Sequence, residues 1–268
     1  MKYWTSESDP GISVLRRRLD DFYSDNDNEY QAFESTSQQH PYWNTVVEQI
    51  SKLQKTLPAG AKLKVLEFGA GRSGFVHALG SLRPTVNLTL QDVTAVNQDH
   101  LRAHGDEVQI CDLADLTGEF DVIFSTFVWE HVSHPRKVLE TLLDHLAAGG
   151  SLFLFSPRYD VPGYVPPALR HHGRLHGIWL SICLQLSRLG TRLGMKNGDF
   201  WIVTNPSLFS VPKWFRDSDA IHLVSLYDLK AYLRGRATVT VCWPNMPRLM
   251  PHLLERLLKL CVQIRKNP

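Results

Sequence analysis

Between residues 62 and 156, apolar positions come in short continuous runs separated by stretches with helical spacing. The runs are 63–68, 86–91, 108–110, 120–125 and 151–156. Val122-Ile123-Phe124 and Leu152-Phe153-Leu154-Phe155 are apolar at consecutive positions, so both faces of those strands must be covered. The intervening segments 74–82, 95–104 and 135–146 predict helices, the last with Pro135 in its first turn and Gly149-Gly150 beyond its end. Repeated strand–helix units predict an α/β fold with a doubly wound, mostly parallel sheet covered on both faces.

Upstream, Ile12, Leu15 and Leu19 stand at helical spacing, and the acidic run from Asp20 to Glu29 follows them. Val46, Val47, Ile50, Leu53 and Leu57 mark one face of a helix over 42–57, ended by Pro58-Ala59-Gly60. Downstream the rhythm breaks. Residues 157–220 are too long for an ordinary loop and carry an apolar stretch at 175–189. Next come a helix over 226–233, a β-branched strand over 238–243 and a terminal amphipathic helix over 249–265 bearing Leu253, Leu257, Leu258, Cys261 and Ile264. No further strand is evident after 243. These breaks divide the chain into a helical leader (1–61), a sheet core (62–156), a lid or acceptor insertion (157–220) and a C-terminal part (221–268) that completes the sheet.

Composition changes this picture little. The chain is 43% hydrophobic and 21% charged, as globular domains are. A net charge of +2 gives no electrostatic footprint for nucleic acid. Cys111, Cys183, Cys242 and Cys261 show no CxxC spacing, so neither a zinc site nor a disulfide framework is expected, and a reducing cytoplasm fits. The first nine residues lack the apolar core of a signal peptide, and no run of about 18 apolar residues suits a membrane span.

The chemistry gathers at the strand ends. Glu67 closes the first run and is followed by Gly69-Ala70-Gly71-Arg72-Ser73-Gly74. Glycines there permit positive φ and close approach of a ligand, and the carboxyl edge of a parallel sheet is where such folds bind ligands. Asp92 ends the second run, where a carboxylate can accept both hydroxyls of a ribose. Asp112 follows the third run and reads equally well as the N-cap of a short helix. Phe120-Asp121-Val122-Ile123 opens the fourth, and Trp129-Glu130-His131-Val132 comes after it.

This order of features resembles the Rossmann-like, class I S-adenosylmethionine-dependent methyltransferases, in particular the group that modifies small molecules and lipids. The resemblance covers 62–156 and, more weakly, 220–243. It implies a seven-stranded type of sheet, S-adenosyl-L-methionine as methyl donor and S-adenosyl-L-homocysteine as product. Asp92 would hold the ribose, and Gly69, Ala70 and Gly71 would pass beside the methionine part. Glu67 would serve the amino group, Asp112 with the Leu113 backbone N–H would serve the adenine, and Ser125 joins the cofactor set at the end of the fourth strand.

Two departures matter. Ser73 stands where the family often has a third glycine, with Gly74 one position later. Glycines 69, 71 and 74 also satisfy a dinucleotide GxGxxG pattern, so an NAD(P)-binding reading stays open beside the methyltransferase one, as does that of an inactive methyltransferase-like scaffold. Second, Ser125-Thr126-Phe127-Val128 replaces the Asn/Asp-Pro-Pro-Tyr/Phe run of amine and base methyltransferases, which points towards O-methylation. Phe127 also stands where some quinone-forming relatives carry an extra metal-binding glutamate, so no metal is expected.

His131 and His222 are candidate catalytic bases, since an imidazole titrates in the right range to take a hydroxyl proton, with Tyr159 as a third candidate. Phe127 and Trp129 are expected to floor the pocket. In the insertion, Arg158, Arg170, Arg174, Arg188, Arg192 and Lys196 face a single acid, Asp160, among apolar residues such as Trp179 and Leu186. That mixture predicts a lid for a small-molecule, glycan or lipid-linked acceptor, or peripheral contact with the inner membrane face. Either a monomer or a homodimer is compatible with it.

Overall fold

The structure, a computed structural model, describes residues 3–25, 40–243 and 249–267. The acidic run beyond Asp25 lies outside them. In chain order the main elements are β1 (Trp4–Ser6), α1 (Gly11–Ser24), α2 (Trp43–Gln54), β2 (Leu63–Phe68), α3 (Phe75–Leu79), β3 (Val86–Asp92), α4 (Gln98–His104), β4 (Glu107–Ile110), β5 (Phe120–Thr126), α5 (Pro135–Asp144) and β6 (Leu146–Pro157). They continue with α6 (Arg174–Ser187), α7 (Leu189–Arg192), β7 (Trp201–Val203), α8 (Leu226–Tyr232), β8 (Ala237–Val241), α9 (Leu249–Leu258) and β9 (Lys259–Lys266).

Seven strands form the central sheet in the order β4-β3-β2-β5-β6-β9-β8. The pairs from β4 to β6 are parallel, and β9 runs antiparallel to both β6 and β8. The consecutive apolar runs are explained by burial on both faces. Val65, Val122 and Phe153 pack with Val46 and Ile50 of α2 on one side. Their neighbours Leu66, Ile123 and Leu152 pack with Leu139, Leu142 and Leu143 of α5 on the other.

The expected terminal helix over 249–265 is corrected. The helix stops at Leu258, and Lys259–Lys266 is the strand that closes the sheet. In that segment Leu260, Val262 and Ile264 alternate onto one core while Cys261 faces the other. The 3.6-residue reading and the 2-residue reading both accommodate those apolar positions. The open edge of β6, which accepts β9 from Leu152 to Pro157, decides between them. The helix expected over 74–82 is also shorter: α3 ends at Leu79, and a 3₁₀ turn containing Pro84 runs on from Gly80.

Leader and insertion are joined rather than separate. β1 pairs antiparallel with β7, and Ile12, Leu15 and Leu19 of α1 pack on Ile202 and Ile221. This pairing lays α1 along the rim of the core at the carboxyl edge of the sheet.

Candidate active site

The glycine turn after β2 is tied to the tip of β3. The Gly69 N–H donates to Gln91 Oε1 (3.2 Å), the Ala70 N–H to the Gln91 carbonyl (2.9 Å) and the Gly71 N–H to Asp92 Oδ2 (2.8 Å). Gly69 has a φ of 65° and Gly71 one of 54°, and a Cβ on Gly69 would stand 2.6 Å from a Val128 methyl. Two glycines are therefore needed for conformation and approach. The position of Ser73 has its own explanation. Its Oγ accepts the Phe75 N–H (3.0 Å) at the start of α3, and its hydroxyl stands near enough to the Glu67 carboxyl to pull its pKa down.

The turn opens onto a pocket lined by Glu67, Gly69, Ala70, Gly71, Asp92, Asp112, Leu113 and His131, all of them expected site residues. Glu67 is buried, and its Oε2 has no hydrogen-bond partner among the described residues. Burial pushes its carboxyl up to about 8, against the pull of the Ser73 hydroxyl. Asp92 is buried as well and accepts the Thr94 N–H at 3.1 Å in addition to Gly71. Asp112 caps a short 3₁₀ turn by accepting the Ala114 N–H (3.0 Å), as a cap aspartate does, and also forms an ion pair with Arg16 of α1.

The far wall carries a polar cluster. His131 Nδ1 lies 3.0 Å from Asp219 Oδ2, and the Tyr23 hydroxyl donates to the same oxygen at 2.5 Å. Burial would lower the His131 pKa, but the Asp219 carboxylate outweighs it, with Glu130 and Asp217 adding, and pushes it up to about 10. Burial would raise Asp219, and the His131 charge instead holds it below its ordinary range. Glu130 is fully buried, neither of its oxygens has a hydrogen-bond partner among the described residues, His131 Nε2 stands 4.0 Å from its Oε1, and burial pushes it up to about 7. Asp217 comes from the insertion, so that Glu130, His131 and Asp217 each bring a donor atom within 4.8 Å of the others. With its pKa raised, His131 keeps its proton among these acids at neutral pH. Two non-glycine residues with positive φ, Phe127 (59°) and Asp217 (63°), both stand in the pocket wall, where backbone strain is commonly kept for function.

Several expected residues lie elsewhere. Ser125 is fully buried outside the pocket wall; the strand alternation instead presents Thr126, which accepts the Trp43 indole N–H at 3.1 Å. His222 is buried against Trp129. Its ring meets the Trp129 carbonyl through Nδ1 (2.9 Å), and burial pushes its pKa down to about 3. Trp129 and Tyr159 are likewise buried outside the wall, whereas Phe127 lines it. The lid is also differently made. Trp214, Arg216, Asp217 and Asp219 come from the insertion, but α6 and α7 do not line the pocket, and α1 supplies Arg16, Leu19, Asp20 and Tyr23. The helical spacing of Ile12, Leu15 and Leu19 gives α1 itself; its place over the pocket depends on the β1–β7 pairing, for which the sequence carries no local signal.

A family model described as a methyltransferase domain matches residues 37–231. The ribosomal RNA small subunit methyltransferase C of Serratia proteamaculans is 33% identical over 114 residues, which is 38% of this chain and 33% of that protein. An uncharacterized protein of Synechococcus sp. is 30% identical over 109 residues, 37% of this chain and 26% of that protein. The chain thus spans a third or less of the length of these curated relatives. Among solved structures, the CurJ carbon methyltransferase superposes with a TM-score of 0.51 at 15% identity, over 84% of this chain and 54% of that one, which shows a shared fold. Because the family match runs from before α2 to within α8 and takes in the glycine turn, the strand-end carboxylates and the His131 cluster, the chain belongs to the methyltransferase-domain family.

Proposed function

We propose that this protein is an S-adenosylmethionine-dependent methyltransferase that methylates an oxygen of a small-molecule, glycan or lipid-linked acceptor, with the His131–Asp219 pair facing that acceptor. One observation carries the cofactor assignment. Carboxylates at or just beyond the ends of β2, β3 and β4 share one pocket, while the N–H groups of Gly69, Ala70 and Gly71 are already donated to Gln91 and Asp92. A dinucleotide pyrophosphate needs those N–H groups free. A ligand with a ribose, an ammonium group and a sulfonium needs the carboxylates instead.

The residues fit such a cofactor. Asp92 would hold the ribose hydroxyls with the lone pairs that Gly71 and Thr94 leave over. Glu67, whose Oε2 is unpartnered among the described residues, would meet the ammonium, and the Gly69–Gly71 backbone would lie beside the methionine chain. When bound, S-adenosylmethionine supplies a methyl group that is already strongly electrophilic. The protein's task is then to hold the acceptor in line, keep water out and take a proton where the acceptor carries one. His131 is held through Nδ1 by Asp219 and faces the pocket; with its pKa raised to about 10 it would keep its proton at neutral pH and donate a hydrogen bond to the acceptor, and it would take a proton only in alkali.

Isothermal titration calorimetry tests the assignment. Heat is expected with S-adenosylmethionine and S-adenosylhomocysteine and none with NADH; the reverse pattern would overturn it. Glu67 is protonated at neutral pH before binding, and an ammonium beside it favours the carboxylate. Binding should therefore release protons, read as a dependence of the heat on the buffer's ionisation enthalpy, and affinity should rise with pH up to about 8.

Asp219→Asn tests the His131 pair by stability. A His131 pKa raised from 6.5 to about 10 stabilises the fold fully below pH 6.5, and that contribution fades as pH rises towards 10. A lowered Asp219 stabilises above its unfolded value of 3.8 and loses this as pH falls through its folded value. The variant should therefore lose most stability between pH 3.8 and 6.5, by about 1–3 kcal/mol in chemical denaturation, with the deficit shrinking in alkali. A deficit that grows with pH would sink the pairing. The His131 ring should titrate lower by at least about one unit in NMR.

A further inference from the structure

The helix α6 is apolar on both sides. Leu180 and Leu184 pack into the main core, while Leu175, Ile178, Trp179, Ile182 and Leu186 face outward, with Leu175 84%, Trp179 57% and Leu186 63% exposed. Their spacing of three and four residues makes one row along the helix, about 16 Å long at 1.5 Å per residue, and Leu189 and Leu193 extend it through α7. Single exposed leucines are ordinary; a continuous row with a tryptophan in it is not.

The charge along this stretch of chain is one-sided. No aspartate or glutamate occurs from residue 161 to 198. Three of the insertion's basic residues are turned away. Arg158 pairs with Asp160 (2.5 Å), Arg188 is fully buried against Asp228 (2.7 Å), and Arg192 donates to the Asp160 carbonyl (2.6 Å). Arg170 and Arg174 are exposed at one end of the row and Lys196 at the other.

We infer that the outer face of α6 and α7 docks on an anionic lipid surface, with the row in the headgroup–acyl boundary and the three cations on lipid phosphates. Apolar rows rimmed by cations are the chemistry of interfacial helices, and tryptophan favours that depth. A second copy fits less well. Pairing the row with itself, parallel or antiparallel, brings cations against cations, and the segment holds no acid to receive them. This inference is independent of the methyl-transfer reading. The face does not line the pocket, and methyl transfer needs nothing from it.

The test is flotation of the full chain with phosphatidylglycerol–phosphatidylcholine vesicles and with phosphatidylcholine alone. Binding is expected to the anionic vesicles, weakened by salt and by Arg170→Gln/Arg174→Gln roughly fivefold for each cation removed. Trp179→Asp/Leu186→Asp should lower it by at least about tenfold while the thermal melt is kept. If that variant fails to fold, the arginine pair carries the test. No flotation with anionic vesicles, equal flotation with neutral ones, or a dimer in light scattering that Trp179→Asp dissolves without any vesicle binding would each overturn the inference.

Discussion

Asp92→Ala loses S-adenosylmethionine binding by at least about a hundredfold, the largest expected effect on ligand affinity of any single change in the pocket. The carboxylate has two tasks. It accepts the Gly71 and Thr94 N–H groups, which fixes the glycine turn against the tip of β3, and it keeps the lone pairs that would receive the ribose. Hydrogen bonds to a charged group contribute about 1.5–3 kcal/mol each, so losing a pair to ribose amounts to roughly 3–6 kcal/mol. Asp92→Asn keeps one acceptor oxygen and should fall between the alanine variant and the wild type. Burial raises the Asp92 pKa, which means the buried charge is a cost to the unliganded fold. Its removal offsets part of the loss of the two backbone bonds, and the melting temperature should stay within about 5 °C. Calorimetry that finds the alanine variant within tenfold of the wild type, with its melt unchanged, would remove Asp92 from the ribose role.

The parts of this site that sequence reading reaches are those built from adjacent residues. Glu67, the glycines after it and Asp92 each stand at the end of an apolar run, so the strand, its tip and the turn are announced together. Asp112 is similar: it is the cap that the sequence offers, accepting the Ala114 N–H, and it lines the pocket where the resemblance puts an adenine ligand. What escapes is whatever depends on distant pairing. Tyr23 and Asp219 are 196 residues apart and meet at one oxygen. Ser125, at the end of the fourth strand, is expected in the cofactor set, but strand alternation turns it inward and Thr126 towards the pocket. The last strand was hidden because Leu260, Val262 and Ile264 alternate in a segment that also continues a helical stripe. The insertion's basic residues pointed to a charged lid, yet Arg158, Arg188 and Arg192 satisfy acids and carbonyls within the fold.

Arg188→Ala costs about 3–5 kcal/mol of stability, enough to unfold a large part of an ordinary domain's margin. Arg188 sits at the joint between α6 and α7 with no exposure. Its guanidinium pairs with Asp228, itself 2% exposed, and donates to the carbonyls of Tyr159 (3.2 Å) and Leu223. One side chain thus fastens the insertion to α8 and to the segment after β6. The approach it secures is close: a Cβ on Gly198 would stand 1.9 Å from the Asp228 carbonyl oxygen. Truncation leaves a cavity, the Leu223 carbonyl without its guanidinium donor, the Tyr159 carbonyl with Gln185 alone and the Asp228 carboxylate buried without its cation, and the last is the largest of these costs. Arg188→Met keeps most of the volume but strands Asp228, so it should be nearly as damaging as alanine. Adding Asp228→Leu removes the stranded charge and should recover at least about 1–2 kcal/mol of the loss in urea denaturation. A double variant no more stable than Arg188→Met would place the cost in the lost carbonyl bonds and the cavity, and the buried pair would then be incidental to holding the insertion on the core.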